Sequence, residues 1–319
     1  MNTSNFANVS PLGVGLNYQK SFKPLFDNSR EFIDFIEISP DTLCHNRTET
    51  VDGVTRPVLH LNPRLLTECL DTIADYPVSV HGLGLSIGSA SGMNTGYLEM
   101  LDAFGCLSDY HWHSEHLGFT EIVTVEGEYL HAGTQLPVPF TRDVANMLME
   151  RIQQLQARYQ RPFLLENTTY YLPDLPADGM DEIDFLNLLT RETGCGLVLD
   201  LYNFHCNAMN FGFDPYSLLA KLDMSAVVEI HIAGGASHKG LQLDVHSREV
   251  PAPVWDLLEW VLNRAPNVKA VLYELLEQAY GALGPQMVMT QLLKARGIWQ
   301  QTTRVRDCDY HGGLIRGAA

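Results

Sequence analysis

Positive charge is scarce in this 319-residue chain: 21 lysines and arginines stand against 38 aspartates and glutamates, a formal net charge of −17. Neutralising nucleic-acid phosphates takes clustered Lys and Arg, and so does docking on an anionic membrane, so neither partner is expected. No stretch approaches the roughly 18 uninterrupted apolar residues of a spanning helix. The opening, Met1-Asn2-Thr3-Ser4-Asn5-Phe6, lacks a basic segment followed by an apolar run, so no secretory signal is read. Six cysteines occur, at 44, 69, 106, 195, 206 and 308, and none forms a C-x-x-C pair. That removes the thiolate zinc knuckle and the dithiol redox motif, and it fits free thiols in a cytoplasmic protein. A phosphate-binding G-x-G-x-x-G is also missing, since Ile87 takes the third glycine place in Gly82-Leu83-Gly84-Leu85-Ser86-Ile87.

What is present is a core's worth of apolar residues, 45%, with no linker, heptad run or break in composition. Eight short β-rich runs (13–18, 35–39, 78–83, 110–119, 163–168, 196–203, 227–234 and 268–275) alternate with helical patterns. Those patterns span 20–33, 63–75, 96–107, 141–159, 181–193, 214–222, 253–263 and 285–295. Strands alternating with helices predict a parallel sheet, and eight repeats predict one closed (β/α)₈ TIM barrel rather than an open doubly wound sheet. The barrel is placed at 13–306, after an N-terminal extension, 1–12, and before a loose tail, 307–319. Three connections, 40–62, 120–140 and 170–180, are long for barrel loops and follow strands, which puts them on the catalytic face. Residues 122–130 suggest a small hairpin turning at Glu126-Gly127.

Ionisable residues fall near the C-terminal ends of the strands, where a TIM barrel builds its site. They are Glu37, His81, His116, Glu166, Asp200, His231 and Glu274, with Asp244-Val245-His246 just past the seventh run. Taken singly, a strand acid can pair with an arginine, and a strand histidine can be a satisfied core residue. Taken together, so many acids at one mouth would repel one another without cations between them. Imidazole and carboxylate without thiolate suit iron, manganese or zinc. Even without Glu37, four histidines and four acids exceed the needs of one ion, so two or three ions bridged by carboxylates are expected. Glu37 and Glu229 can instead hold a ligand imidazole in its tautomer. Asn167, Asn203 and His205 are open between ligand, supporting and substrate-binding roles. His113 has the opposite parity to His116 and is expected to face the helices.

The motifs His81-Gly82-Leu83-Gly84-Leu85-Ser86, Ser114-Glu115-His116-Leu117, Leu165-Glu166-Asn167, Leu199-Asp200-Leu201-Tyr202-Asn203, His231-Ile232-Ala233-Gly234 and Asp244-Val245-His246, in this order, resemble one family. It is the family of multinuclear iron-dependent oxidative enzymes that includes MbnB of methanobactin biosynthesis and TglH of 3-thiaglutamate biosynthesis. The resemblance runs from about Gly13 to Glu274. It implies a TIM barrel in which His81, His116, Glu166, Asp200, His231, Asp244, His246 and Glu274 bind two or three irons. Glu166 is the bridge in that arrangement, and Asp200, His231 and Glu274 carry the catalytic role. It further implies a mixed-valent Fe(II)/Fe(III) centre with O₂ as co-substrate. The substrate would be a ribosomally made precursor peptide, modified most often at cysteine, and a small partner protein would grip its leader in a heterodimer. Asp200-Leu201-Tyr202-Asn203 departs from the family's common Asp-Val-Asn-Asn, and Glu37 is followed by Ser39-Pro40-Asp41 rather than by a second glutamate motif. Other metal-dependent barrels are isomerases and endonuclease-IV-like hydrolases. No strand end carries the lysine expected of the former, and the acidic balance disfavours the latter. A metal-loaded scaffold for a peptide-binding partner is the non-catalytic alternative.

Overall fold

Runs of Val, Ile and Leu that are apolar on both faces become the parallel strands of a barrel, because helices cover one face and the barrel interior the other. In the computed structural model, which describes residues 6, 9–51, 53–172 and 178–315, these are β1 (Gly13–Asn17), β2 (Phe35–Ile38), β3 (Val78–Gly82), β4 (His113–His116), β5 (Phe163–Glu166), β6 (Gly196–Asp200), β7 (Val227–Ile232) and β8 (Ala270–Tyr273). They close in the order β1-β8-β7-β6-β5-β4-β3-β2, every pair parallel. The expected (β/α)₈ TIM barrel is the observed fold. Among the described residues no helix is long and apolar enough to cross a membrane.

The covering helices follow from spacing and caps. In Arg142–Tyr159, Ala145, Leu148, Ile152 and Leu155 recur every three or four residues, and all are buried. Thr141 starts this helix by accepting the Val144 N–H at 3.4 Å, and Gln160, left-handed at φ 51°, stops it. Inside the barrel, alternate strand residues make a second core. Phe35, Trp112, Leu164, Val198 and Leu272 fill the N-terminal half together with Phe6 and Leu12. Full burial of each such side chain contributes about 1.5–3 kcal/mol. The polar residues of the same strands therefore sit one layer up, toward the C-terminal ends.

Several element limits differ from those expected, each for a local reason. The sixth run was expected to remain a strand to 203. It ends at Asp200, which caps a helix, Leu201–Phe211, by accepting the Asn203 N–H at 2.6 Å. The fourth run splits: β4 stops at His116, and the chain leaves the barrel as a hairpin, Gly118–Val123 with Tyr129–Pro137. This hairpin contains the one expected at 122–130 and extends it. The connection 40–62 is likewise folded, as a short 3₁₀ turn, Pro40–Leu43, and a hairpin, Cys44–Val51 with Val54–Leu61. A third hairpin, Ala236–His238 with Leu241–Leu243, follows β7. The helix expected over 20–33 shortens to Lys23–Asn28 after a 3₁₀ turn, and that over 214–222 to Pro215–Leu219. The last helix, Glu277–Ile315, turns at Gly284 (φ 75°, ψ 160°) and runs into the stretch 307–319. Cys69, Cys195 and Cys206 are buried free thiols, Cys44 is half-buried and Cys106 is exposed; Cys308 lies among side chains that are not described.

Candidate metal centre

The ligand candidates on or just past the barrel strands reach the mouth because interior parity points them there, whereas Asp244 and His246 come from the segment after the strand Leu241–Leu243. On β4 the inward residues are Ser114 and His116. His113 and Glu115 point out, and their side chains bond each other (2.8 Å) next to Tyr97 on a covering helix. On β3, β5 and β7 the inward polar residues are His81, Glu166 and His231, buried at 1%, 1% and 0% exposure.

The imidazoles and carboxylates alternate. Nε2 of His81 lies 3.1 Å and Nε2 of His116 3.3 Å from Oε2 of Glu166. The other oxygen of Glu166, Oε1, is 3.6 Å from Nδ1 of His231, which is 3.4 Å from Oε2 of Glu274. Oε1 of Glu274 is 3.3 Å from Nδ1 of His246, whose Nε2 meets Asp244 Oδ1 at 2.5 Å. Two groups able to hold a cation thus share Glu166: His81 with His116, and Asp200 with His231 and Glu274. Ligands bonded at about 2.1 Å around a tetrahedral ion lie roughly 3.4 Å apart, which these separations match. No arginine stands among the ion-pair partners of these acids in the described residues, so the arginine-neutralised alternative does not hold here.

The donor set fits metal on a second count. Both oxygens of Glu166, Oδ2 of Asp200, Nε2 of His81, both ring nitrogens of His231, Oδ1 of Asp244 and Nε2 of His246 are buried and lack a hydrogen-bond partner. Leaving such groups unsatisfied costs about 1–3 kcal/mol each, more when charged, and a cation satisfies them together. Without one, protons take its place. Burial pushes the Glu166 carboxyl up, but the rings of His116 and His81 outweigh it and hold the group below the ordinary carboxylate range. Burial works against a proton on His81, and the Glu166 charge overcomes it, raising that ring to about 10. Burial, with the Glu166 charge added, lifts Asp200 well above its ordinary value.

Neighbouring groups aim the ligands. The Ser114 hydroxyl donates to the Val80 carbonyl (3.1 Å), so its oxygen must accept from Nδ1–H of His81 (2.9 Å), which leaves Nε2 of His81 free to bind. The Gly82 carbonyl does the same for His116 through Nδ1 at 3.3 Å. Behind His231, Glu37 and Glu229 form a further acidic group around Nε2, at 3.5 and 3.9 Å. Ser79 donates to Glu37 at 3.3 Å, and Trp112 Nε1 donates to Glu229 at 2.7 Å. Burial, then the Glu37 charge, raises Glu229 to about 8. Asn167 clamps the main chain of Asp200, donating to its carbonyl (3.0 Å) and accepting its N–H (2.8 Å). Asn203 donates to the Asn167 carbonyl (3.1 Å) and accepts from Thr169 (2.8 Å). Both amides are thus engaged with the framework. His205, half-buried beside Tyr202, stands apart from the alternating row. His246 adopts φ 35°, a left-handed backbone that costs a residue with a side chain on the order of 1–3 kcal/mol, and Tyr171 OH accepts the neighbouring Asp244 N–H at 3.0 Å. Sequence reasoning passed over Ser114, Trp112 and Tyr171. The inward parity of Ser114 and Trp112 was the available signal for those two, whereas nothing in the pattern marked Tyr171.

Fold and site together define a TIM barrel whose C-terminal mouth gathers buried histidines and acids able to hold metal ions, two of these groups sharing Glu166. A family model described as "RiPP precursor modification enzyme MbnB/TglH/ChrH" matches residues 12–279, and the chain belongs to that family of enzymes acting on ribosomally made precursor peptides. Relatives named UPF0276 protein include one from Caulobacter vibrioides, 34% identical over 261 residues and covering 82% of this chain and 85% of its own. Another, from Neisseria gonorrhoeae, is 31% identical over 264 residues, with 82% and 87% covered. Among solved structures, endonuclease IV from Thermus thermophilus (TM-score 0.50, 13% identity, 91% of this chain and 99% of that one) shares the fold. So does L-ribulose 3-epimerase (TM-score 0.51, 13% identity, 92% and 97%).

Proposed function

We propose that this protein oxidatively modifies a residue, most simply a cysteine, in a ribosomally made precursor peptide, using two or three irons and O₂. The observation that carries the reading is the buried Glu166 carboxylate, whose two unpartnered oxygens face a histidine pair on one side and His231 on the other. Family membership supplies the peptide, and the hard nitrogen and oxygen donors suit iron. Bound iron supplies redox chemistry and deprotonates a coordinated thiol. The chain's own residues do the rest. His81, His116, Glu166, Asp200, His231, Glu274, Asp244 and His246 hold the ions. Ser114 and the Gly82 carbonyl fix which ring nitrogens of His81 and His116 are free, and Glu37 and Glu229 back His231 from below. The packed lower half of the barrel keeps water from entering beneath the centre. Asp200, His231 and Glu274, which group with Glu166, take the catalytic role in this reading. A small leader-binding partner completes the assembly in this reading.

The test is co-expression with the short precursor peptide encoded beside the gene, metal analysis of the purified protein, and mass spectrometry of the peptide with and without O₂. Iron in the protein and an O₂-dependent mass change are expected. Equal turnover without O₂ sinks the oxidative reading. Zinc or magnesium alone would move the protein toward the hydrolase or isomerase class, against which its net charge of −17 already weighs for a DNA substrate.

A further inference from the structure

We propose that the cleft between the two long hairpins is a track for an extended, neutral-to-basic stretch of peptide that delivers one side chain to His116; this rests on the peptide-modifying reading above. The cleft has a volume of about 790 Å³, within the range of built ligand sites, about 300–1,000 Å³. One wall is the hairpin 44–61, with Asn46 and Leu59 facing in. The other is the hairpin 118–137, with Glu121, His131 and Gln135. His116 lies on the floor, 19% exposed, so the only partly open imidazole of the His81–His116 pair looks into this cleft.

The second wall is shaped for main-chain recognition. Its ladder pairs Phe119 with Leu136 and Glu121 with His131, so four residues, 132–135, stand opposite Thr120 alone. A bulge of this kind leaves backbone donors and acceptors outside the ladder, and bulges gather beside functional sites. The bulge is built in. Gly133 takes φ 74°, which a side chain would resist, and its N–H goes to His131 Nδ1 at 2.9 Å. At Gly118 a Cβ would lie 2.4 Å from Gln135 Nε2, so glycine there lets the bulge lie close. The strand opposite is pinned by Ser86, whose Oγ accepts the Thr120 and Glu121 N–H groups at 3.0 and 3.3 Å. Gly88, Ser86 and Ser91 hold the outer edge of 118–123, while the strand Tyr129–Pro137 has no second ladder partner among the described residues, the template that an added peptide strand uses.

Charge selects the occupant. Among the described residues lining the cleft, Asp41 and Glu121 are acidic and none is lysine or arginine, in a chain of net charge −17. An acidic stretch meets like charge there, and a neutral or basic one does not.

The probes are short fluorescent peptides with one central cysteine flanked by lysine, serine or aspartate, added to the metal-loaded protein. Lysine- and serine-flanked peptides are expected to bind roughly tenfold or more tightly than the aspartate-flanked one. Asn46→Lys, at an exposed position with no part in the ligand row, is expected to shrink or reverse that preference. Hydrogen exchange at 44–46 and 132–135 is expected to slow on binding. Equal binding of all three peptides, binding without that protection, or no binding overturns the track. A modified precursor with unprotected hairpins overturns the track alone, and protected hairpins with an unmodified precursor overturn only the enzymatic reading.

Discussion

Ser114→Ala isolates one hydrogen bond beneath the centre. In the native chain the Ser114 oxygen accepts Nδ1–H of His81 at 2.9 Å, fully buried. Removing the hydroxyl leaves that N–H without an acceptor, or lets the proton move to Nε2, the nitrogen that faces Glu166 at 3.1 Å. Either outcome opposes metal at the His81–His116 pair. An unsatisfied buried donor costs about 1–3 kcal/mol. At about 1.4 kcal/mol per decade, that is roughly a 5- to 150-fold weaker site, in line with the 10–100-fold typical of lost outer partners. Chelator-competition titration with metal analysis reads the affinity directly, and thermal unfolding of the metal-free protein reports the fold separately. Ser114→Thr keeps the hydroxyl and is expected to recover most of the affinity. Native affinity in Ser114→Ala, with unfolding unchanged, would show that this hydroxyl does not set the ring's tautomer.

Glu166→Gln removes the shared carboxylate and is expected to lower bound metal by more than one ion per chain, whereas His116→Ala lowers it by one; elemental analysis of the two purified variants checks this. Trp112→Phe deletes the donor to Glu229 and is expected to cost about 1–3 kcal/mol of stability, read by urea unfolding. Raised to about 10 by Glu166 after burial opposes it, His81 gives the metal-free protein stability that is complete below its ordinary value near 6.5 and is lost as pH climbs through about 10. Metal must displace that proton, so the rise in Tm on adding metal is expected to grow over the same interval; a metal-induced shift that is flat with pH would refute the assignment.

The convergence of these histidines and acids was legible because strand parity and strand ends are periodic signals: an acid or imidazole among Leu and Val, at the last inward position, marks the mouth of the barrel. The hairpin 44–61 left no such trace. In its first strand Asn46-Arg47-Thr48-Glu49-Thr50 is exposed throughout and carries no apolar alternation, so it read as loop. The helix Leu201–Phe211 was hidden for the opposite reason. It begins one residue after a barrel strand, and Leu201-Tyr202 prolong the β-rich run, so only the cap of Asp200 on Asn203 marks the change. The groups that aim the ligands were obscured because a serine or a tryptophan on a strand looks like packing until its partner across the barrel is known.

The inner core of Phe6, Phe35, Trp112 and Leu164 closes one end of the barrel. In the proposed reading every ion, gas molecule and peptide would then share a single doorway, and that imposes an order of arrival. A peptide lodged there would trap the ions behind it, so the centre must be charged first and would resist extraction while a chain is in place.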